Sequence, residues 1–561
     1  MINPQCHRAR TVIAGLSLLL FAIIYYALLF RYGLNLADEG NVALISLRLA
    51  HGEKPFIDLF LGYNLLWFYP ISGLFRIFGG NLLLMRAYFY LIYLLSGLLA
   101  FFLLRLLKTP IWLAWIVSAT VIAITGQYFK AYIPFLVILH LFCLTIFLKT
   151  SRSARVCLLI GVVLGMTFLI RIDLGIFFCP LWTAVFLFTA LLFHRNLFPA
   201  LKWFSLALLT AALVQVPLAA DAFERGFSKP FLEQYRDVCM VMLAYAIPAS
   251  TFNVPTRSIP LPADSSIQRP GSSVPPPTIA KIPKANNPSS QRLARRSLRD
   301  IVARKSTIER RLLAFLTYYP IFLATILLGY GFWKWRADQI STENWLLITS
   351  LLIGCLTAFP QFFFFRPDLP HLIEFMNGAV VAFTGAIWLL GEKHPHPLHL
   401  AAILLWLSYF FLAFPNPYGG SLAQRQNRTL NFRGMNGVDV LLSPSEYHEV
   451  DGIASATLSH SKSDDFVVSY PYLPGINFIT ARPTFQHWLY VDDLTRSADW
   501  EETEIKRLKK FRPAVIVIDD WKINGTEESK FSNWARRTTE FIEQNYRMVM
   551  SLNKKRVFAL P

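Results

Sequence analysis

The chain has 561 residues, of which 54% are hydrophobic, 15% aromatic and 16% charged. A soluble globular protein carries about 25% charged residues, so this composition excludes an ordinary water-soluble chain and points to one that spends much of its length in lipid. The formal charge of +19 would suggest nucleic acid in a soluble protein. Here the basic residues gather in short loops between apolar runs, which reads as membrane topology and contact with anionic headgroups.

The N-terminus places basic residues before an apolar run, as a signal peptide does. That run is about 20 residues long and lacks a small-residue cleavage site, so it is read as a span. Spans are expected near 12–31, 83–106, 110–126, 131–148, 156–170, 174–193, 201–219, 312–331, 344–365, 372–391 and 397–414. A shorter run, 64–79, carries Tyr63, Trp67, Tyr69 and Pro70 at or near its start. If it lies at the interface, simple alternation puts the basic loops His7–Arg10, Arg105–Lys108, Lys149–Arg155, Arg195–Lys202 and Lys334–Arg336 on one side, the cytoplasmic side by the positive-inside rule. The same alternation gathers Asp38–Gly40, Gln127–Ala131, Arg171–Asp173, Arg366–His371 and the C-terminal tail on the opposite face.

Segment 249–311 opposes this scheme, being Pro- and Ser-rich, strongly basic and placed outside. It is long enough for the positive-inside rule to weaken. Its first half reads as linker and Gln291–Arg311 as a basic helix against headgroups. From about 415 the character changes. Phe466–Val468, Val515–Ile518 and Val557–Ala559 read as short strands, and Phe531–Asn545 has helical spacing. The expected fold is a membrane all-α, polytopic bundle of about 11–13 spans over 1–414. It includes an outer loop at 32–82 with interfacial helices, and is followed by a small non-cytoplasmic α/β domain over 415–561. The six cysteines show no CxxC spacing, so neither a disulfide framework nor a zinc site is expected. No internal repeat has a clear period, which argues against a transporter.

Ionisable residues at membrane level are expensive and tend to be functional. Asp38 and Glu39 follow the first span. Adjacent carboxylates there serve as a general base or hold a cation, or else cap the next helix. The stretch containing His51, Asp58 and Tyr63 is too polar for lipid and too aromatic for a plain loop. It reads as an interfacial segment, either structural or walling a cleft open to water and lipid. Arg171 and Lys130 are natural phosphate ligands. The plainer alternatives are a local pair of Arg171 with Asp173 and a snorkelling Lys130. Arg366, Asp368 and His371, followed by Glu374, pack cation, acid and imidazole into one proline-fixed turn. That suits a phosphate leaving group, or simply a polar turn between helices.

Taken in order, Asp38-Glu39-Gly40, Gly52-Glu53-Lys54-Pro55, Asp58, Phe78-Gly79-Gly80 and Arg86 resemble the first outer loop of bacterial GT-C glycosyltransferases of the protein O-mannosyltransferase-like and aminoarabinose-transferase-like kind. Arg366–His371 resembles that family's late basic turn. Val467–Pro471, Pro474-Gly475 and Thr480–Pro483 resemble the start of its C-terminal soluble domain. The resemblance implies an inner-membrane enzyme that takes a sugar from a polyprenyl-phosphate donor with inversion and passes it to a glycolipid, polysaccharide or protein acceptor on the non-cytoplasmic face. It implies Asp38 as general base with Glu39 in support, and Lys130, Arg171, Arg366 and His371 around the departing lipid phosphate. His51, Asp58, Tyr63, Asp173, Asp368 and Glu374 would line the substrate cleft. The chain departs from the pattern at Gln127–Lys130, where some relatives carry an acid, and Asp38-Glu39 is not a DxD. No cofactor or metal ligand is therefore assigned, and a divalent cation stays open. The competing readings are a lipid or glycolipid flippase and a non-catalytic assembly protein.

Overall fold

A computed structural model describes residues 4–123, 127–149, 153–194, 197–246, 307–359, 369–391, 427–492, 499–523 and 527–561. In chain order its helices begin with α1 (Pro4–Ala27), α2 (Asp38–Ala50), α3 (Leu65–Phe78), α4 (Leu82–Leu106), α5 (Ile111–Ala123) and α6 (Tyr132–Lys149). They continue with α7 (Ala154–Ile170), α8 (Ile172–Thr189), α9 (Phe198–Glu224), α10 (Ser228–Ala246), α11 (Thr307–Arg336), α12 (Thr342–Leu356) and α13 (Leu369–Leu390). The chain then turns to mixed structure: β1 (Leu430–Arg433), β2 (Asp439–Leu442), α14 (Pro444–Ser459), β3 (Val467–Tyr470), α15 (Gly475–Thr480), α16 (Trp500–Phe511) and β4 (Val515–Asp519). It ends with α17 (Phe531–Trp534), α18 (Arg536–Asn545), β5 (Arg547–Leu552) and β6 (Lys555–Ala559). Two compact units result. One takes Met1–Arg31, Arg86–Asp221 and Ser297–Arg425, the other Tyr32–Met85, Ala222–Arg296 and Gln426–Pro561.

The first unit is helical. Among the described residues, five helical stretches are long and apolar enough to cross a membrane: Ala9–Ala27, Leu82–Leu106, Tyr128–Lys149, Ile172–Phe193 and Phe198–Glu224. Shorter apolar helices stand at Ile111–Ala123, Ala154–Ile170, Thr342–Leu356 and Glu374–Leu390. The chain is a multi-pass membrane protein. Each expected span from 12–31 to 372–391 overlaps a described helix, the ends of 110–126 and 344–365 lying outside the described residues, as do 397–414 and the expected basic helix up to 306. α6 is apolar on every side because it is enclosed, packing on α7, α12 and α13. α1 is the opposite case, with Val12, Ile13, Leu16 and Leu20 exposed, as suits a helix facing lipid. In lipid, helices associate through close packing rather than the hydrophobic effect. Gly161 and Gly165 on α7 supply it: a Cβ on either would come within 2.5 and 2.8 Å of the backbone oxygens of Ala207 and Ala211 on α9.

The second unit joins α2 and α3 to the C-terminal part of the chain. Its four-stranded sheet has the order β3-β4-β6-β5, with β3 and β4 parallel and the other pairings antiparallel. β3 and β4 are buried along their whole length, which is why they read as unbroken apolar runs. Val468, Tyr470, Ile516, Phe531 and Phe558 share their core with Trp500 and Leu508 of α16. The expected helix 531–545 is two helices broken at Ala535. β1 and β2 form a separate antiparallel pair. The chain just before α2 adds to its edge, with Tyr32 bridging Leu441 and the Gly33 amide donating to the Leu441 carbonyl at 2.9 Å. The run 64–79 is α3, capped by Asn64, whose Oδ1 accepts from the Leu65 amide at 2.8 Å. It packs on α2.

Candidate functional site

Asp38 opens α2. The turn before it is held by Asn35, whose side-chain oxygen accepts from the amides of Ala37 and Asp38, both at 2.9 Å. Glu39 is fully buried and its Oε2 accepts from the Asn35 amide at 3.0 Å. The two adjacent carboxylates therefore do different things. Glu39 braces the turn, while Asp38 is half-buried and sits in the first turn, where the helix dipole favours negative charge. Asp38 Oδ1 accepts a hydrogen bond from the Tyr472 hydroxyl at 3.0 Å, and Tyr472 in turn packs edge-on against Tyr490.

The turn is pressed against the start of α15. The Gly475 amide donates to the Leu36 carbonyl at 2.7 Å. A Cβ placed on Gly40 would lie 2.3 Å from the Gly475 Cα, and one on Gly475 would lie 2.7 Å from the Leu36 backbone. Two glycines facing each other let backbone meet backbone here.

The neighbouring polar stretch is tied down by Arg48, which is buried. Its Nε donates to Glu53 at 2.8 Å, and its terminal nitrogens donate to the carbonyls of Gln486 (2.6 Å) and Asp58 (3.2 Å). The Asp58 carboxylate closes a turn by accepting from the Lys54 amide at 2.7 Å. Tyr63 stacks on Trp67, 4.0 Å between ring centroids. His51 is exposed and ends α2. Asp58 and Tyr63 thus have structural partners of their own, while the His51 side chain is exposed. Nearby, His487 is buried, and burial lowers its pKa from 6.5 to about 3, helped by the positive charges of Arg507 and Arg48.

In the helical unit, Lys130 ends a short 3-10 turn and is buried, with its Nζ 3.4 Å from Glu374 Oε1 on α13. Arg171 stands in extended conformation between α7 and α8 and forks onto Asp173, Nε to Oδ1 at 3.0 Å and Nη2 to Oδ2 at 2.6 Å. The sequence left Arg171 open between a local pair and a phosphate ligand; the fork is the local pair, and it fixes the guanidinium plane. Arg86 is fully buried, donates to the Phe30 carbonyl at 2.7 Å and lies 5.7 Å from the Tyr128 ring centroid. His371 falls on the first turn of α13. Arg366 and Asp368 lie outside the described residues.

The structure thus brings together Lys130 with Glu374 and Arg171 with Asp173, and it gives Asp38 a partner that sequence reasoning missed. Tyr472 lies between two flagged segments, Val467–Pro471 and Pro474-Gly475, but nothing in its local pattern couples it to a residue over 400 positions away. Among the described residues, no group of three His, Cys, Asp or Glu side chains is arranged to hold a metal ion.

A bundle of apolar helices whose first inter-helix loop folds with a small C-terminal α/β unit defines the GT-C fold of integral membrane proteins. The solved structure of ArnT from Cupriavidus metallidurans bound to undecaprenyl phosphate shares it, with a TM-score of 0.51 at 12% identity over 98% of each chain. ArnT from the same organism in the apo state gives a TM-score of 0.42 at 11% identity, over 99% of this chain and 98% of that one. No protein-family model matches the sequence, and neither does the sequence of a curated protein.

Proposed function

We propose that the protein is an integral membrane glycosyltransferase that moves a sugar from a polyprenyl-phosphate donor to an acceptor on the non-cytoplasmic face, with inversion. The observation that carries this reading is Asp38: a half-buried carboxylate on a helix N-terminus, held by the Asn35 turn, by Glu39 beneath it and by Tyr472 across from it. A fixed carboxylate that is neither fully buried nor consumed by an ion pair suits a general base. The ArnT structure of the same fold contains undecaprenyl phosphate, which supports the donor class.

In the proposed step Asp38 takes the proton from the acceptor hydroxyl as its oxygen bonds to the anomeric carbon. The bond from that carbon to the donor phosphate oxygen breaks, and the polyprenyl phosphate leaves with the electron pair. Lys130, Arg171, Arg366 and His371 are assigned to the leaving phosphate, where stabilising developing charge supplies much of the rate. Glu374 and Asp173 hold Lys130 and Arg171 in place, so less ordering remains to be done when phosphate arrives. His51, Asp58, Tyr63 and Asp368 remain assigned to the substrate cleft. The acceptor is a glycolipid, a polysaccharide or a protein, and the cell inner membrane is the proposed location.

The test is transfer of radiolabelled sugar from a panel of polyprenyl-phosphate sugars by purified protein in native lipid extract. Wild type should move label and folded Asp38→Asn should not. Full activity in Asp38→Asn removes it as the base. Lipid movement without any transfer would favour a flippase instead.

A further inference from the structure

The helical unit contains a cavity of about 1190 Å³ at the end of the helices where the basic loops lie. α1 supplies Arg10 and Ser17 to it, the end of α4 and the turn after it supply Arg105 and Lys108, and α5 supplies an apolar wall that includes Trp112, Trp115 and Ile116. α1 and α5 run parallel and are pinned at their far ends, where Tyr25 and Tyr26 donate to the carbonyls of Ala123 and Ile122 at 2.8 and 3.1 Å. Halfway along, the Trp115 indole donates to the Ser17 hydroxyl at 3.0 Å. Below that bond the helices leave the cavity between them. Among the described residues, three cationic side chains line it and no acidic one does.

The walls choose the occupant. A free phosphate would satisfy the cations but leave indole and aliphatic surface wet. A neutral acyl chain would cover the apolar wall but bring no anion to the exposed Arg10 and Lys108. Trp112, which lines the cavity, is about half exposed, and Val12, Ile13 and Leu16 on the other faces of α1 are more so, so apolar surface adjoins the charges on both helices. Indole rings at this level suit the membrane interface. We infer that this cavity binds one anionic glycerophospholipid, with its phosphate among Arg10, Arg105 and Lys108 and its chains along α1 and α5. The bound lipid fills the gap between α1 and α5 and completes their packing. This site is independent of the sugar-transfer reading.

The test is native mass spectrometry of the delipidated full chain titrated with phosphatidylglycerol or phosphatidylcholine. Wild type should retain one phosphatidylglycerol and prefer it to phosphatidylcholine. Arg10→Gln/Lys108→Gln should weaken that binding roughly 30-fold, the effect expected for two cations near an anionic headgroup. Arg155→Gln/Lys202→Gln, at exposed basic positions elsewhere, should not. Equal retention of the two lipids by wild type overturns the proposal without reference to any variant, as does equal weakening in both double variants. Displacement of phosphatidylglycerol by millimolar inorganic phosphate would make this a soluble-anion site and also overturn it.

Discussion

Replacing Gly40 by alanine tests how tightly the Asp38 turn depends on the C-terminal part of the chain. The added carbon would lie 2.3 Å from the Gly475 Cα and 2.4 Å from its nitrogen, where carbon contacts normally stand about 3.5–4.0 Å apart. Both obstacles are backbone atoms, so no side chain can swing aside and α2 must retreat by about 1 Å or more. Overpacking of this kind costs about 1–3 kcal/mol, and rigid backbone on both sides places it near the upper end. Alanine returns up to about 1 kcal/mol through its better helix propensity. The net loss should be roughly 2 kcal/mol, near 30-fold in the folding equilibrium, given about 1.4 kcal/mol per tenfold. Retreat of α2 also stretches the 2.7 Å bond from Gly475 to Leu36 and the 3.0 Å bond from Tyr472 to Asp38, so sugar transfer should fall as well. Gly73 on α3, with nothing within 4 Å of its Cβ position, is the control, and its alanine variant should be no less stable than wild type. Thermal unfolding and transfer rate would be measured on all three proteins. A Gly40→Ala protein as stable and active as the Gly73→Ala control would refute the reasoning.

Tyr472→Phe removes the hydrogen bond to Asp38 and keeps the ring; it should cost about 1.5 kcal/mol of stability, in line with a hydrogen bond to a charged group, and lower turnover, both measured on the purified variant. Lys130 and Glu374 form a buried ion pair, and removing one member takes away a charge the other is set against. Lys130→Met alone should therefore destabilise by about 3–5 kcal/mol, and the added change Glu374→Leu should recover most of that while transfer stays low. His487 is protonated near pH 3 in the folded protein and near 6.5 when unfolded. Between those values the unfolded chain binds the extra proton, so stability should fall as pH drops below 6.5, by about 1.4 kcal/mol per pH unit. Melting curves from pH 7 to 4 should show a shallower fall in His487→Gln than in wild type.

What the sequence disclosed follows from how each element is solvated. Apolar runs of helical length announce themselves because lipid leaves no alternative. β3 and β4 were legible because both faces are covered. β5 was not, since Arg547–Leu552 is an edge strand with mostly exposed or half-exposed residues and carries no apolar period. The separation of 1–414 from 415–561 was drawn along the chain, where composition changes. The compact units instead combine 32–85 with 426–561, a pairing that local pattern cannot encode. Asp38 stood out as an acid beside a span, yet the roles of its neighbours depended on geometry. Glu39 turned inward to the Asn35 amide, and Lys130 found Glu374 more than 240 residues away. Arg171 and Asp173, two positions apart, formed the pair that spacing allowed.

The contact of Gly475 with Leu36 and Gly40 also has a consequence for biosynthesis. The Asp38 turn and the local groups that brace it, Asn35 and Glu39, leave the ribosome early, but two of its partners, Tyr472 and Gly475, arrive only after more than four-fifths of the polypeptide has been made. A chain interrupted before them would carry the carboxylate without these two contacts. The surroundings of the proposed base are thus completed only when the last sixth or so of the chain folds back onto the segment that follows the first helix.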